Sequence, residues 1–291
     1  YSWTGKYAPF AHQKTTASFL TMHKRAFCFN EQGTGKTASA IWASDYLMNV
    51  GAIRRVLVIC PLSIMDSAWR NDLFTFAMHR KVGVAYGSKK KRTEVIESDV
   101  DYVIINYDGV NIVEEVIAKG GFDLIIIDEA THYKNAQTKR WKTLKRLMTS
   151  EPWLWMMTGT PAAQSPVDAF GLARLINPAA VPRFAGAFRD RVMTKVTNFR
   201  WVPKPDATET VYQVLQPAIR YTKDECLDLP PMVYVKREVA LTRQQNKYYK
   251  LLRDSLVMDA GGEQVSAANA AVAMNKLLQI SCGAVYTDTG D

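Results

Sequence analysis

Residues 31–37 read Glu31-Gln32-Gly33-Thr34-Gly35-Lys36-Thr37, and the pair Asp128-Glu129 closes an apolar run that begins at Phe122. A glycine turn ending in Gly-Lys-Thr offers backbone N–H groups to phosphate oxygens and aims a helix N-terminus at the same anion. In such a turn Gly33, Thr34 and Gly35 form the cradle, Lys36 reaches the β/γ-phosphates, and the Thr37 hydroxyl ligates Mg²⁺. A carboxylate at the end of an apolar strand, here Asp128, holds that same metal, and Glu129 is placed to orient or deprotonate an attacking water. The general pattern also wants a glycine six residues before Lys36, and Asn30 stands there. Either motif alone could be a chance loop or a solvated strand end. Their joint occurrence, each in a strand-then-helix context, points to a nucleoside triphosphate and its γ-phosphate.

The elements that must position these residues alternate along the chain. Ala26–Asn30 reads as a strand feeding the glycine turn, and Thr37–Asn49 as the helix behind it. Arg54–Cys60, Tyr102–Asn106, Phe122–Asp128 and Trp153–Thr158 supply further strands, with helices between them. The stretch Asp66–Met78 is amphipathic, with Trp69, Leu73, Phe76 and Ala77 on one side. Apolar runs that are continuous rather than alternating imply strands buried on both faces, hence a parallel sheet covered by helices. Right-handed crossovers then bring every strand's C-terminal end to one edge, where ligands bind. The fold class is α/β.

The pattern changes after Pro178. Residues 183–209 mix charge, aromatics and prolines and read as an insertion with irregular connections. Leu229-Pro230-Pro231 precedes a return strand expected over Val233–Leu241. Two helical stretches follow, Thr242–Met258 and Val265–Ile280, split by Gly261-Gly262, before a polar end at Thr287–Asp291. The expected organisation is therefore 1–178, 179–241 and 242–291.

Bulk properties exclude less than they suggest. The 291 residues are 47% hydrophobic and carry a formal charge of +9, which favours a polyanionic partner. No apolar run reaches membrane-spanning length and no signal peptide is recognisable, so an intracellular, cytoplasmic protein is expected. Cys28, Cys60, Cys226 and Cys282 are scattered, without a zinc or disulfide pattern. The densest charge run, Lys89-Lys90-Lys91-Arg92, reads as a solvated loop.

Further blocks, in order, resemble the helicases and translocases of superfamily 2, most closely the Swi/Snf-type ATPases, including phage or bacterial members. Pro9-Phe10-Ala11-His12-Gln13 resembles the adenine-reading glutamine motif, and Asn30–Thr37 is similar to that branch's Asp-Glu-Met-Gly-Leu-Gly-Lys-Thr, which accounts for the missing glycine. Val58–Ser63 with Trp69 looks like motif Ia, Ile104–Asp108 like motif Ib, Asp128–Asn135 like Asp-Glu-Ala-His-Arg-Ile-Lys-Asn, and Thr158-Gly159-Thr160-Pro161 like motif III. Arg220–Asp224, Leu229-Pro230-Pro231, and Gln245 with Tyr248 resemble the segment leading out of the first lobe. Three positions depart from the pattern: Thr131 replaces the family's histidine, Ala162-Ala163-Gln164-Ser165 replaces Ile-Gln-Asn-Ser, and Tyr221 replaces an arginine.

The resemblance implies the N-terminal RecA-like P-loop lobe of an ATP-dependent DNA translocase or helicase, with a helical extension, ATP and Mg²⁺ as cofactors, and duplex DNA as the partner. It implies an adenine contact by Gln13 and a coupling role for Thr158, Gly159 and Thr160. It implies phosphate contacts by Pro61, Leu62, Ser63, Asn106 and Tyr107. The residues themselves add a basic helical face bearing Lys139 and Lys142, whose plain alternative is a solvated surface. Two other readings stay open, an RNA or single-strand helicase and a nucleotide-gated binding module with little hydrolysis. A missing C-terminal RecA-like lobe of the same protein is also expected, because no second parallel sheet is legible after Leu241.

Overall fold

The computed structural model of the chain describes residues 2–5, 7–162, 164–197, 200–226, 235–260, 263–267 and 270–286. These fall into two compact units, Tyr1–Leu229 and Pro230–Asp291.

The first unit is built on β1 (Arg25–Cys28), β2 (Val56–Cys60), β3 (Val82–Ala85), β4 (Tyr102–Asn106), β5 (Leu124–Asp128) and β6 (Trp153–Met157). A small antiparallel ribbon, β7 (Met193–Lys195) with β8 (Trp201–Pro203), precedes a two-residue strand β9 (Ala218–Ile219). The main sheet has seven strands in the order β3-β4-β2-β5-β6-β1-β9, and every pairing in it is parallel.

The unbroken apolar strands serve two cores. Leu57, Ile59, Val103, Ile105, Ile125, Ile127, Leu154 and Met156 point to one face. Val56, Val58, Tyr102, Ile104, Leu124, Ile126, Trp155 and Met157 point to the other. Each such side chain contributes about 1.5–3 kcal/mol of burial free energy, so a polar residue on either face would be costly. Helices α1 (Ala11–Met22) and α2 (Lys36–Asn49) cover the second face together with the turns over Met65–Phe76, through Leu20, Ile41, Trp42, Trp69 and Leu73. The helices after β4, β5 and β6 cover the first. Loops leaving β1, β2, β4, β5 and β6 therefore emerge at one edge, as the parallel reading expects.

Three expectations are corrected. The run Lys89–Arg92 is not a solvated loop: it opens a helix, Lys89–Glu97, and Arg92 is buried, donating to the carbonyls of Ala85 and Gly87 and to Asn106 Oδ1. The insertion is more regular than expected, with helices Ala185–Val192 and Ala207–Val214 flanking the ribbon and Phe188 and Val192 in the core. The return to the sheet comes at β9, whereas residues 235–241 carry no strand. Val233 and Tyr234 lie outside the described residues, as do Leu229-Pro230-Pro231, Gly261-Gly262 and Thr287–Asp291.

The second unit holds helix Arg243–Ser255, hairpin β10 (Val257–Ala260) with β11 (Glu263–Ser266), and helix Ala270–Cys282. The hairpin takes residues expected to be helical. Thr242 and Gln245 cap the first helix reciprocally, and Leu252, Val265, Ala267, Ala273 and Ile280 form a small core. Among the described residues no helix is long and apolar enough to cross a membrane.

Candidate active site

The chain leaves β1 through Phe29 and Asn30, and the turn Glu31–Gly35 delivers it into α2. Two glycines make that turn possible, Gly33 at φ +86° and Gly35 at φ +81°, a left-handed region that costs other residues free energy. At Gly35 a Cβ would also displace the Gln13 amide from its place against the loop. Asn30 explains the missing first glycine. It is fully buried, donates from Nδ2 to Thr16 Oγ1 at 2.9 Å and accepts from the Tyr221 amide at 3.0 Å. The side chain thus ties the loop to α1 and to the segment after β9.

Helix α1 holds the loop from its other side. His12 Nε2 donates to the Thr34 carbonyl at 2.9 Å and Gln13 Nε2 donates to the same oxygen at 3.2 Å, while Gln13 Oε1 accepts from the Phe10 amide at 3.0 Å. Gln13 therefore caps its helix and braces the loop at once, and its amide retains one donor hydrogen and one acceptor lone pair. The Lys36 ammonium folds back on its own loop, donating to the carbonyls of Asn30 at 2.8 Å and Glu31 at 3.1 Å. That conformation neutralises two carbonyl dipoles at the centre of the cradle.

Asp128 and Glu129 stand at the end of β5. Burial raises the Asp128 pKa, opposed by a 2.9 Å hydrogen bond from Trp69 Nε1 and a 3.0 Å bond from the Glu129 amide. Glu129 has φ +52° and ψ +59° without being glycine, a strained conformation of the kind that clusters at functional sites. Two hydroxyls hold its carboxylate, Thr158 Oγ1 at 2.9 Å and Thr131 Oγ1 at 3.0 Å. Thr158 is fully buried, and its Oγ1 also accepts from the Thr160 amide at 3.3 Å. The residue standing where the family has histidine thus binds the water-orienting candidate. His132 instead packs against Tyr107, with ring centroids 4.5 Å apart and the planes tilted by 38°.

One cavity of about 550 Å³ collects Gln13, Gly33, Gly35, Lys36, Thr37, Asp128 and Glu129, together with Pro61, Ser63, Asp72 and Phe76. The expected phosphate, metal and water-orienting residues are brought together there, with Thr34 just behind them. A larger cavity of about 700 Å³, lined by Trp3, Phe19, Met22, Trp42 and Tyr46, lies away from these groups and carries none of that chemistry.

The expected nucleic-acid contacts divide. Leu62, Ser63, Lys139 and Lys142 are exposed, and Pro61 and Asn106 are half-buried. Tyr107 is buried, its hydroxyl donating to the Asp128 carbonyl, which leaves its side chain no access to a phosphate. On helix Lys139–Leu147, Arg140 pairs with Asp108 and Arg146 with Glu114, whereas Lys139 and Lys142 have no ion pair among the described residues. Sequence reasoning missed Trp69 as a carboxylate donor, Thr131, His12 and Asp72. Trp69, His12 and Thr131 lie in the blocks resembling motif Ia, the glutamine motif and the Asp-Glu motif, whereas Asp72 had no signal.

A parallel sheet whose C-terminal edge carries a glycine cradle, a lysine and an Asp-Glu pair defines a RecA-like P-loop lobe. Residues 12–283 match the family model described as "SNF2-related domain", and the chain belongs to that family. It is similar to the p41 protein of Acyrthosiphon pisum secondary endosymbiont phage 1, 25% identical over 305 residues, covering 97% of this chain and 65% of that protein. It is also similar to nuclear protein STH1/NPS1 of Saccharomyces cerevisiae, 25% identical over 280 residues, covering 90% of this chain but 20% of that one. The fold matches the Sulfolobus solfataricus SWI2/SNF2 ATPase core in complex with dsDNA, with a TM-score of 0.66, 22% identity, and coverage of 96% of this chain and 59% of that structure. The chain thus spans less than two thirds of each of these relatives.

Proposed function

We propose that this chain is the N-terminal RecA-like lobe of an intracellular ATP-dependent DNA translocase or helicase of the Swi/Snf type. Tyr1–Leu229 would form the lobe, with an insertion after Pro178 that returns to the sheet at β9, and Pro230–Asp291 a helical extension towards a second lobe of the same polypeptide. The observation that carries this reading is the gathering of Lys36, Thr37, Asp128 and Glu129 in one cavity beside two left-handed glycines.

The residues fit ATP and Mg²⁺. Gly33 and Gly35 leave the loop backbone free of side chains, which suits contact with phosphates. Thr37 and Asp128 supply hard oxygen donors, and no hydrogen bond engages the Thr37 hydroxyl among the described residues. When bound, the cation would polarise the β- and γ-phosphates. Lys36 would exchange its two loop carbonyls for phosphate oxygens, and Gln13 would use its remaining amide capacity on adenine. Glu129, steadied by Thr158 and Thr131, would orient water, and Thr158 with Gly159 and Thr160 would report the phosphate state to the nucleic-acid surface. That surface comprises Pro61, Leu62, Ser63, Asn106, the backbone at Tyr107, Lys139 and Lys142. The dsDNA held by the Sulfolobus relative supports duplex DNA as the partner.

The test is nucleotide binding and turnover in the protein that contains both lobes. A lysine ammonium about 4 Å from a phosphate is worth several kcal/mol at moderate effective dielectric. Lys36→Ala should weaken ATP binding by at least tenfold, whereas Glu129→Gln should bind ATP and lose turnover. Undiminished ATP affinity and turnover in Lys36→Ala would overturn the assignment.

A further inference from the structure

We infer that Asp72 is a third carboxylate of the nucleotide site, positioning water around the divalent cation that Thr37 and Asp128 would hold. This inference rests on the reading of the cavity as a nucleotide–metal site.

Three observations carry it. First, Asp72 lines the same cavity as Thr37 and Asp128, and that cavity holds one cationic side chain, Lys36, against three carboxylates. A triphosphate would meet excess negative charge there unless a divalent cation enters with it.

Second, the other two carboxylates are committed. Asp128 receives Trp69 and the Glu129 amide, and Glu129 receives Thr131 and Thr158. Asp72 has no hydrogen bond or ion pair among the described residues, although it is half-buried. Its pKa is pushed up to about 6, by burial first and then by the charge of Asp128. A half-buried carboxylate left without a donor is costly in the isolated protein, and a hydrated cation supplies the missing donors.

Third, the local geometry couples the two acids. Trp69 ends in a hydrogen bond to Asp128, and Asp72 follows three residues later, in helix Asn71–Phe76. The π-helical turns Met65–Arg70 that carry Trp69 run directly into that helix, so the segment that brings the indole to Asp128 also brings Asp72 to the wall of the same cavity. Mg²⁺ keeps several of its waters when protein-bound. A carboxylate set back from the two direct ligands accepts hydrogen bonds from such waters and narrows their orientations.

The experiment separates the cation from the nucleotide. In the two-lobed protein, Mn²⁺ affinity in the presence of ADP is read by electron paramagnetic resonance, and ADP affinity in EDTA by calorimetry. Asp72→Asn, which keeps the side-chain volume, should weaken Mn²⁺ binding about five- to tenfold. ADP affinity without metal should be unchanged or tighter, because one negative charge has gone. Asp72→Glu should recover part of the Mn²⁺ affinity. Unchanged Mn²⁺ affinity in Asp72→Asn, or equal losses with and without metal, would overturn the inference. Failure of the wild-type protein to bind ADP under either condition would instead overturn the nucleotide site itself.

Discussion

The indole of Trp69 donates to Asp128 Oδ2 at 2.9 Å, joining the turn after β2 to the end of β5 across the sheet edge. Trp69 is fully buried, and Asp128 is half-buried at the wall of the cavity. A hydrogen bond to a charged acceptor contributes about 1.5–3 kcal/mol, and here it opposes the burial that pushes the carboxyl pKa up. Trp69→Phe should therefore destabilise the fold by at least that amount, read by urea unfolding. In an Asp128→Asn background the same substitution should cost less, since the acceptor is then neutral. Equal costs in both backgrounds would mean that Trp69 serves packing alone.

Asp72 yields a pH signature. Its pKa is about 6 in the folded chain, above the ordinary 3.8, because burial and Asp128 disfavour the charged form. A raised folded pKa means that stability is fully present below the unfolded value and is lost as pH rises through the folded one. Relative to wild type, Asp72→Asn should therefore show no gain well below the ordinary value of 3.8, an increasing gain from there to about pH 6, and a plateau above it. Thermal unfolding at a series of pH values checks this. A gain that is flat with pH would mean that the Asp72 charge carries no folding penalty.

The centre of the site was legible because its chemistry is local in sequence. Gly33, Gly35, Lys36 and Thr37 occupy one turn, and Asp128-Glu129 end a strand whose five residues include four aliphatic ones. What surrounds them was not legible, because it depends on where distant segments meet. The Thr158 hydroxyl joins that of nearby Thr131 on Glu129 only once β5 and β6 pair. Tyr107 looked available to a phosphate until the fold turned its hydroxyl onto the Asp128 carbonyl. Short edge strands fail for a related reason. Val82-Gly83-Val84-Ala85 is too brief for a periodic signal, and a Cβ at Gly83 would come within 2.7 Å of Val95 Cγ1. Arg92 looked like part of a solvated run because nothing local announces that three acceptors will enclose it.

The basic helix predicts a salt dependence confined to particular lysines. Arg140 and Arg146 are neutralised by Asp108 and Glu114, leaving Lys139, Lys142 and Lys145 as the exposed lysines of this helix without ion pairs among the described residues. Each phosphate contact contributes about 0.9 to the slope of log affinity against log salt on duplex DNA. The double change Lys139→Gln with Lys142→Gln should reduce the slope by about 2, with little dependence on base sequence. Arg146→Gln should instead lower stability slightly and leave the slope nearly unchanged. Fluorescence anisotropy with two unrelated duplexes between low and moderate salt reads both quantities. An unchanged slope in the double variant would return these lysines to a solvated surface.

The last prediction concerns charge on the transferring phosphoryl group. Among the described residues lining the cavity, Lys36 is the only cation, and no arginine reaches it. An arginine brought to the γ-phosphate is worth about 10³–10⁵ in rate in related hydrolases. Lys36 cannot replace it, because a lysine presents a point charge without the planar fork that spans two oxygens. The arginine must therefore come from outside this cavity, and a second RecA-like lobe closing over the nucleotide is the expected source. The 291-residue chain should bind ATP with its cavity open and hydrolyse it slowly, with little response to duplex DNA. Joining it to a second lobe in one polypeptide should raise DNA-stimulated turnover by at least about 10³. Removing the arginine of that lobe nearest the γ-phosphate should return the rate to that of this chain alone, with ATP affinity largely kept. Steady-state hydrolysis with saturating duplex DNA measures all three proteins, and fast DNA-stimulated turnover by this chain alone would show that the cavity needs no outside arginine.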